Sequence, residues 1–295
     1  MNKPFFYFVS CIILLIFTEA SFADDFVLYQ IQSKDKAHEQ VLLKTSPNKE
    51  KFVANLNLSN MKCVPSSGLL IDDSFYIFEK VSTREDNLVR VNIFSGKKDS
   101  IFTFPNQSIG ENYKAGTIIY IDESRIFFKA HTATFGNPIY NFNVFIFNKQ
   151  LKMTTKIPLT VSGGVSTNDG NRLYFVTGED QISVYEDGKI EYLGIEGHNP
   201  TISPNGEYIA YISTGKLFEK IKVYNIKNKI SKTIHSFIGP RVVSHIMRWS
   251  SDSNLLAFHK QSDISLKPLY VVDISNGQIV HKFKKNWSTN WFFTK

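Results

Sequence analysis

The sequence predicts an all-β fold: a single β-propeller of six four-stranded blades, closed by strands from both chain ends. Two observations carry this prediction. A unit of short aliphatic and aromatic strands recurs about every 40 residues, with polar turns rich in Asp, Asn, Ser and Gly between the strands. No segment shows the apolar spacing of an amphipathic helix. Such repetition is typical of propellers.

The N-terminal segment is predicted to be a secretory signal. Lys3 precedes an apolar run from residue 5 to residue 17, and small residues follow at Ser21 and Ala23. This order of regions is typical of a cleavable signal. We therefore expect residues 1–23 to be removed and residues 24–295 to form the propeller. An uncleaved anchor is the alternative, although a spanning helix needs about 20 apolar residues.

Composition restricts the location and the class of partner. Export predicts a periplasmic or secreted protein, with no stable membrane span once the signal is cleaved. Only Cys63 would then remain, so no internal disulfide is expected. The net charge is +7, but its lysines are spread over turns and strand ends. Because an Arg-rich patch with interleaved aromatics is missing, nucleic acid is not an expected partner. The protein is expected to be a monomer.

Five repeats can be aligned on the turn between their first two strands. The predicted turns are Ile71–Ser74, Ile121–Ser124, Thr167–Gly170, Ser203–Gly206 and Ser250–Ser253. The predicted second strands are Phe75–Phe78, Arg125–Phe128, Arg172–Val176, Tyr208–Ile212 and Leu255–Phe258. Third and fourth strands follow, joined by hairpin turns such as Asp187-Gly188 and Asn276-Gly277.

Both chain ends contain further predicted strands. Phe26–Ile31 and Gln40–Lys44 precede the first repeat, and Trp291–Thr294 follows the last. The segment Trp287–Asn290 also repeats the pattern of Trp249–Asp252. A sixth blade made from both ends would use all of these strands and leave no sheet edge bare at the closure. A five-bladed ring with loose ends is the alternative.

The repeats resemble those of the TolB-like (WD40-like) propeller family. The family's turn and following strand match at Pro200–Gly206 with Ile209–Tyr211, and its third strand matches at Leu269–Gly277. Arg248–Asp252 gives another copy of the turn. The resemblance is specific over residues 198–280 and degenerate over residues 60–195. It implies a propeller fold and an exported location. No α/β domain like that of TolB is expected before the propeller.

Motifs for chemistry are missing from the sequence. It contains no Gly-x-Ser-x-Gly nucleophile elbow, no His-Glu-x-x-His and no glycine-rich phosphate loop. The acidic pairs Asp72-Asp73 and Asp122-Glu123 lie in the repeated turn, where Asp is a turn former. We therefore predict no catalytic residue, no metal site and no cofactor.

Residues just before the first strand of each blade are the candidate binding residues. The resemblance to the family implies that residues at this position lie near the mouth of the central channel. They include two histidines in neighbouring blades, and imidazoles can bind a metal, an anion or a carboxylate. The candidate residues are His198, Asn199, His245, Ser162 and Ser66.

These features predict a non-catalytic propeller that binds a protein or peptide of the cell envelope at its channel mouth and loops. The alternative is a propeller enzyme, a lyase or a hydrolase, with its site in the central funnel. A funnel lined by Ser, Asn and Gly, with apolar residues at its rim, would favour the binding protein. Convergent ionisable residues would favour the enzyme.

Overall fold

A computed structural model describes residues 28–33, 39–46, 49–56, 68–80, 85–92, 94–105, 113–132, 142–178, 180–215, 218–238, 245–260, 268–283 and 291–293. Every regular element in these ranges is a β-strand. The strands form four-stranded sheets in which each strand pairs with its neighbours. The prediction of an all-β propeller with four-stranded blades is confirmed.

The two chain ends share one sheet, which we call the terminal sheet. It has the order β24-β1-β2-β3, and its strands are β1 (Leu28–Ser33), β2 (Glu39–Ser46), β3 (Lys49–Leu56) and β24 (Trp291–Phe293). The predicted pairing of the chain ends is confirmed, because Leu28 lies opposite Phe293 and Gln30 lies opposite Trp291. Strand β3 was not predicted.

The other strands form blades whose members are consecutive in the sequence. Blade 1 contains β4 (Leu69–Ile71), β5 (Ser74–Lys80), β6 (Glu85–Asn92) and β7 (Lys98–Pro105). Blade 2 contains β8 (Tyr113–Ile121), β9 (Arg125–Thr132), β10 (Phe142–Asn148) and β11 (Met153–Val161). Blade 3 contains β12 (Val165–Ser166), β13 (Leu173–Val176), β14 (Gln181–Glu186) and β15 (Lys189–Glu196).

Blade 4 contains β16 (His198–Ile202), β17 (Tyr208–Thr214), β18 (Phe218–Asn225) and β19 (Ile230–Ile238). Blade 5 contains β20 (His245–Trp249), β21 (Leu255–Lys260), β22 (Leu269–Asp273) and β23 (Ile279–Phe283). The described chain thus has five blades of consecutive strands, where the sequence predicted six blades. The difference is the terminal sheet, whose strands come from opposite ends of the chain.

Apolar side chains fill the space between consecutive blades. Phe78 and Phe104 of blade 1 pack on Phe128 of blade 2, with ring centroids 5.1 and 5.0 Å apart. Phe102 of blade 1 stacks on Phe147 of blade 2 at 3.8 Å. Because β-sheets of this kind bury both faces against their neighbours, the aromatic and β-branched composition of the strands follows from the fold.

The first strands of neighbouring blades run side by side in the same direction. Near their C-terminal ends, the amide of Ile202 donates to Oγ of Ser166 at 3.0 Å, and the Trp249 indole donates to the carbonyl of Thr201 at 2.9 Å. The two ends of the blades are therefore different. We call the end with the first-to-second and third-to-fourth strand turns the turn face. The opposite end, where the first strands begin, is the mouth face.

Candidate functional site at the mouth face

The structure places three of the predicted residues at equivalent positions on the mouth face. His198 begins β16 and His245 begins β20. Each lies five residues before a buried serine, Ser203 or Ser250, that starts the next turn. Ser162 lies five residues before the corresponding Thr167. The backbone register proposed from sequence thus holds for these residues. Ser66 lies outside the described residues, and for His245 the structure describes the backbone alone.

His198 is held by an acidic residue from the preceding blade. Its Nδ1 lies 3.2 Å from Oδ1 of Asp180, in the connection between β13 and β14. The backbone also joins the two segments, because the amide of Gly197 donates to the carbonyl of Asp180 at 2.7 Å. The imidazole is therefore anchored to blade 3. Sequence reasoning did not find Asp180.

Asn199 occupies a strained position beside His198. Its φ is +49°, in the left-handed region that Asn tolerates better than most residues. The pairing between β16 and β17 is interrupted here, with a register shift between His198 and Thr201. The resulting bulge turns the start of the strand out of the regular ladder. Bulges of this kind commonly redirect a side chain beside a functional site.

The mouth face brings blades 3 and 4 into close backbone contact. A Cβ added to Gly164 would lie 2.8 Å from Cα of Asn199 and 3.3 Å from Cδ of Pro200. Only glycine allows this approach. At the neighbouring Gly163, the nearest atom would be 3.7 Å away, an ordinary contact. Gly164 thus fixes the distance between the two blades at the mouth.

Ser162 has a structural role that sequence reasoning did not foresee. Its hydroxyl donates to the carbonyls of Val176, at 3.2 Å, and Thr177, at 2.9 Å. Its amide also donates to the Val176 carbonyl at 3.3 Å. Both groups tie the chain before β12 to the end of β13. The Ser162 hydroxyl is therefore already used within blade 3.

Lys129 is a further charged residue at this end of the molecule. It lies on β9 of blade 2, and its Nζ donates to the carbonyl of Gly163 at 3.3 Å. The same Nζ lies 4.6 Å from the centre of the Phe142 ring, a cation–π contact. Burial lowers the pKa of Lys129 from 10.5 to about 8. No motif marked this lysine, because its surroundings come from three separate segments.

Two grooves lie on the turn face, between neighbouring blades. The larger, about 370 Å³, lies between blades 4 and 5 and is lined by residues that include Tyr208, Asn225, Ile230 and Asn254. The smaller, about 230 Å³, lies between blades 3 and 4 and is lined by residues that include Arg172, Tyr192 and Tyr224. The candidate mouth residues line neither groove.

The described residues include no group of three or more His, Cys, Asp or Glu side chains placed to hold a metal ion. They also include no helix that is long and apolar enough to cross a membrane.

The acidic residue Asp122 acts as a turn former, since its Oδ1 accepts the amide of Ser124 at 2.8 Å.

Comparison with known proteins gives the fold. No protein-family model matches the sequence, and no curated protein matches it. Among solved structures, TolB from Acinetobacter baumannii is similar, with a TM-score of 0.61 and 14% identity; the match covers 91% of this chain and 66% of TolB. A chain of a nidogen/laminin complex matches with a TM-score of 0.58 and 11% identity, over 91% of this chain and 98% of that one.

An oligogalacturonate lyase in complex with manganese is also similar, with a TM-score of 0.56 and 14% identity, over 87% of this chain and 78% of the lyase. These proteins share the β-propeller fold with this chain, which therefore has a TolB-like propeller arrangement. Since they include a binding protein and an enzyme, the shared fold does not select a function.

Proposed function

We propose that this chain is an exported, non-catalytic propeller that binds a protein or peptide partner at its mouth face. The observation that carries the proposal is the composition of this mouth: the described residues there include Ser, Gly and Asn together with a His–Asp pair and the buried Lys129. Neutral hydrogen-bonding groups beside an imidazole suit recognition of a peptide chain or a carboxylate. The similar chain in the nidogen/laminin complex supports the proposal, since its fold occurs there in a protein–protein assembly.

The test begins with a partner captured from an envelope extract, using the exported protein as bait. His198 and His245 are then both replaced by Ala. We expect affinity for the captured partner to fall by at least about tenfold, which is 1.4 kcal/mol. The fold should be nearly unchanged, within about 0.5 kcal/mol, as for ordinary surface substitutions. His281→Ala, on the outer strand of blade 5, is the matched control. Unchanged affinity in a folded double variant would exclude the mouth.

Export itself is also a proposal, because residues 1–27 lie outside the described residues. We expect cleavage after Ala23, because Ser21 and Ala23 supply the small residues that signal peptidases require. N-terminal sequencing of protein from the exported fraction measures this directly. A chain that begins at Met1 would contradict it.

We also infer that the terminal sheet acts as a sixth blade that closes the ring. The contact between β24 and β20 supports this inference, because it continues the series of neighbouring first strands. Removal of residues 287–295 would take away β24, the partner of β1, and bare the edge of β1. We expect a markedly lower melting temperature and increased aggregation. An unchanged melting temperature would show that the five blades do not need closure.

A further inference from the structure

Among the described residues, large apolar side chains are exposed at the turn face. Eight such side chains are exposed among the described residues, and seven lie within four residues of a turn between third and fourth strands. These seven are Phe94, Leu151, Met153, Ile190, Tyr192, Ile230 and Ile279. All five blades contribute, and all these turns belong to the turn face. We call the seven residues the apolar rim.

The exposure of the apolar rim is large. Leu151 is 67% exposed, Ile230 is 62% exposed and Met153 is 60% exposed. Each of these apolar side chains would be more stable in the protein core, because its transfer out of water lowers the free energy. Single exposed apolar residues are common on protein surfaces, but here each of the five blades exposes at least one at the equivalent hairpin. The exception, Phe218, begins β18 at the opposite end of blade 4.

The hairpins hold these side chains in defined positions. In blade 2, Oδ1 of Asn148 accepts the amides of Gln150 and Leu151, at 3.0 and 2.9 Å. In blade 4, Oδ1 of Asn225 accepts the amide of Asn228 at 3.0 Å. The tips are thus closed by side-chain-to-backbone hydrogen bonds. Their apolar residues are displayed on rigid turns.

Lysines flank the apolar rim. The third-to-fourth strand hairpins of blades 1, 2 and 4 carry Lys97, Lys98, Lys152, Lys227, Lys229 and Lys232, all exposed. The hairpins of blades 3 and 5 are less basic, because Asp187 and Glu191 lie beside Ile190 and Asp273 precedes Ile279. The basic tips are therefore distributed around the ring rather than gathered on one blade.

Two of these lysines occupy equivalent, unfavourable backbone positions. Lys152 precedes Met153 with φ +51°, and Lys229 precedes Ile230 with φ +57°. Gly or Asn adopts this conformation at lower cost than Lys. In both hairpins a lysine therefore takes a left-handed backbone conformation that is costly for lysine. The next residue is apolar and is exposed to water. Neither choice stabilises the fold.

We propose that the apolar rim docks the propeller on an anionic lipid bilayer, with the apolar tips in the headgroup region and the flanking lysines against lipid phosphates. Apolar side chains beside lysines suit the boundary between lipid headgroups and acyl chains. There the aliphatic part of a lysine lies against the acyl chains while its ammonium group stays among the headgroups. The tips lie around one end of a ring, so an extended surface reaches several of them together. Charge complementarity selects anionic lipid.

The test uses flotation with vesicles of phosphatidylcholine alone and of phosphatidylcholine mixed with phosphatidylglycerol. Protein from the exported fraction is used, and all variants share its N-terminus, so differences between them report on the rim. We expect binding to the anionic vesicles that weakens as salt is raised. Leu151→Ser combined with Ile230→Ser should lower the partition coefficient at least about tenfold. Phe218→Ser is the matched control and should leave it unchanged.

The charge variant is Lys152→Asn combined with Lys229→Asn. Each lysine lost should weaken vesicle binding about fivefold, while thermal stability stays equal or rises because Asn suits positive φ. This variant therefore separates a docking role from a folding role. Lys220→Gln, on β18 away from the hairpins, is the matched control for charge.

Several outcomes would overturn the proposal. One is a failure of the unaltered protein to bind the anionic vesicles, and another is an equal loss of binding with Phe218→Ser. Loss with the lysine variant alone would indicate attraction to any anionic polymer. A dimer that forms without vesicles and dissociates in the Leu151→Ser and Ile230→Ser variant would indicate that a second copy covers the rim.

Discussion

The turn face repeats local contacts, whereas the candidate site on the mouth face is built from contacts between blades. On the turn face, several turns are closed by a side chain within the turn itself: Asp169 accepts the amide of Asn171 at 2.9 Å, and Asp252 accepts the amide of Asn254 at 3.0 Å. Blades also touch there, since the amide of Asn205 donates to Oγ of Ser253 at 3.1 Å. On the mouth face, the contacts around His198 and Lys129 join different blades. Asp180 of blade 3 holds His198 of blade 4, and Lys129 of blade 2 reaches Gly163 before blade 3.

This difference has a physical origin. A turn of four or five residues is specified by local propensity, so Asp, Asn, Ser and Gly can be substituted for one another while the turn remains. A contact between blades depends on the distance between two sheets and needs particular residues at distant sequence positions. The turns can therefore recur in each blade with similar sequences, whereas the contacts between blades at the mouth differ from one pair of blades to the next. Function is accordingly expected where the repeat is broken.

The largest expected effect comes from the inter-blade packing that underlies the turn face. Trp249 is buried, stacks near Tyr208 with ring centroids 6.3 Å apart and donates to the Thr201 carbonyl at 2.9 Å. Trp249→Ala should cost about 3–5 kcal/mol in unfolding free energy, measured by urea denaturation. Trp249→Phe retains most of the packing and should cost clearly less. Equal costs would indicate that the hydrogen bond, not the packing, joins blades 4 and 5.

A smaller but more selective effect is expected from the glycines at the mouth. Gly164→Ala places Cβ 2.8 Å from Cα of Asn199, so blades 3 and 4 must separate. We expect a loss of about 1–3 kcal/mol, as for other overpacked sites, together with weaker partner binding. Gly163→Ala, one residue earlier, meets its nearest atom at 3.7 Å and should have little effect. Similar losses for both variants would exclude a specific spacing role for Gly164.

The sequence was sufficient for the repeated parts of the molecule. It predicted the turns at Ser203 and Ser250, the second strands, and the pairing of the C-terminal strand with β1, because alternation of apolar residues and turn chemistry are local signals. It missed β3 because Lys49–Leu56 has a mixed polar composition, although Ser46-Pro47-Asn48 before it is a turn signal. Its short apolar alternation resembles that of many coil segments.

The candidate site was predicted only in part. The register of His198, Asn199 and Ser162 followed from aligning repeats, but their contacts did not. Asp180 lies in a connection that differs between blades, and Lys129 lies 34 residues before the carbonyl that it reaches. Neither position carries a local signal. Contacts of this kind depend on how neighbouring blades are placed, which a single sequence does not specify.

A third expected effect tests whether the turns fold by themselves. Ser203 is fully buried, and its hydroxyl accepts the amide of Tyr208 at 2.9 Å and donates to Oδ1 of Asn205 at 2.7 Å. Ser203→Ala leaves a buried amide without this side-chain acceptor and should cost about 1–3 kcal/mol. Ser275→Ala removes a similar hydroxyl from an exposed turn, where it donates to Asp273 at 2.7 Å. Its cost should stay within about 0.5 kcal/mol.

The two faces also suggest a division of tasks. If the turn face docks on a bilayer through the apolar rim, the mouth face points away from it and is presented to soluble partners. Binding at the mouth and docking at the rim should then be independent. The His198→Ala and His245→Ala variant should bind vesicles normally, and the rim variants should retain partner affinity in solution.

The smallest expected effect concerns the pH dependence contributed by Lys129 at the mouth face. Burial lowers its pKa to about 8 in the folded protein, against 10.5 for an unperturbed lysine. Between these values the unfolded chain binds a proton that the folded chain does not, so this lysine makes the unfolding free energy rise with pH. Below about pH 8 both states are protonated and the full cost of burying the ammonium applies. The contacts with Gly163 and Phe142 favour the charged form and oppose the lowering of the pKa by burial.

Lys129→Met keeps the length of the side chain and removes its titration. The variant should therefore show a smaller rise in unfolding free energy above about pH 8 than the unaltered protein. The remaining rise comes from groups such as Lys149, whose pKa is also lowered by burial. The comparison is made below pH 10, because burial raises the pKa of Tyr174 and Tyr211 above 10.0 and their ionisation at higher pH opposes the effect. Urea titrations at a series of pH values give the slope for each protein. Identical slopes would mean that the Lys129 ammonium remains hydrated, and that the mouth between blades 2 and 3 is more open than its contacts indicate.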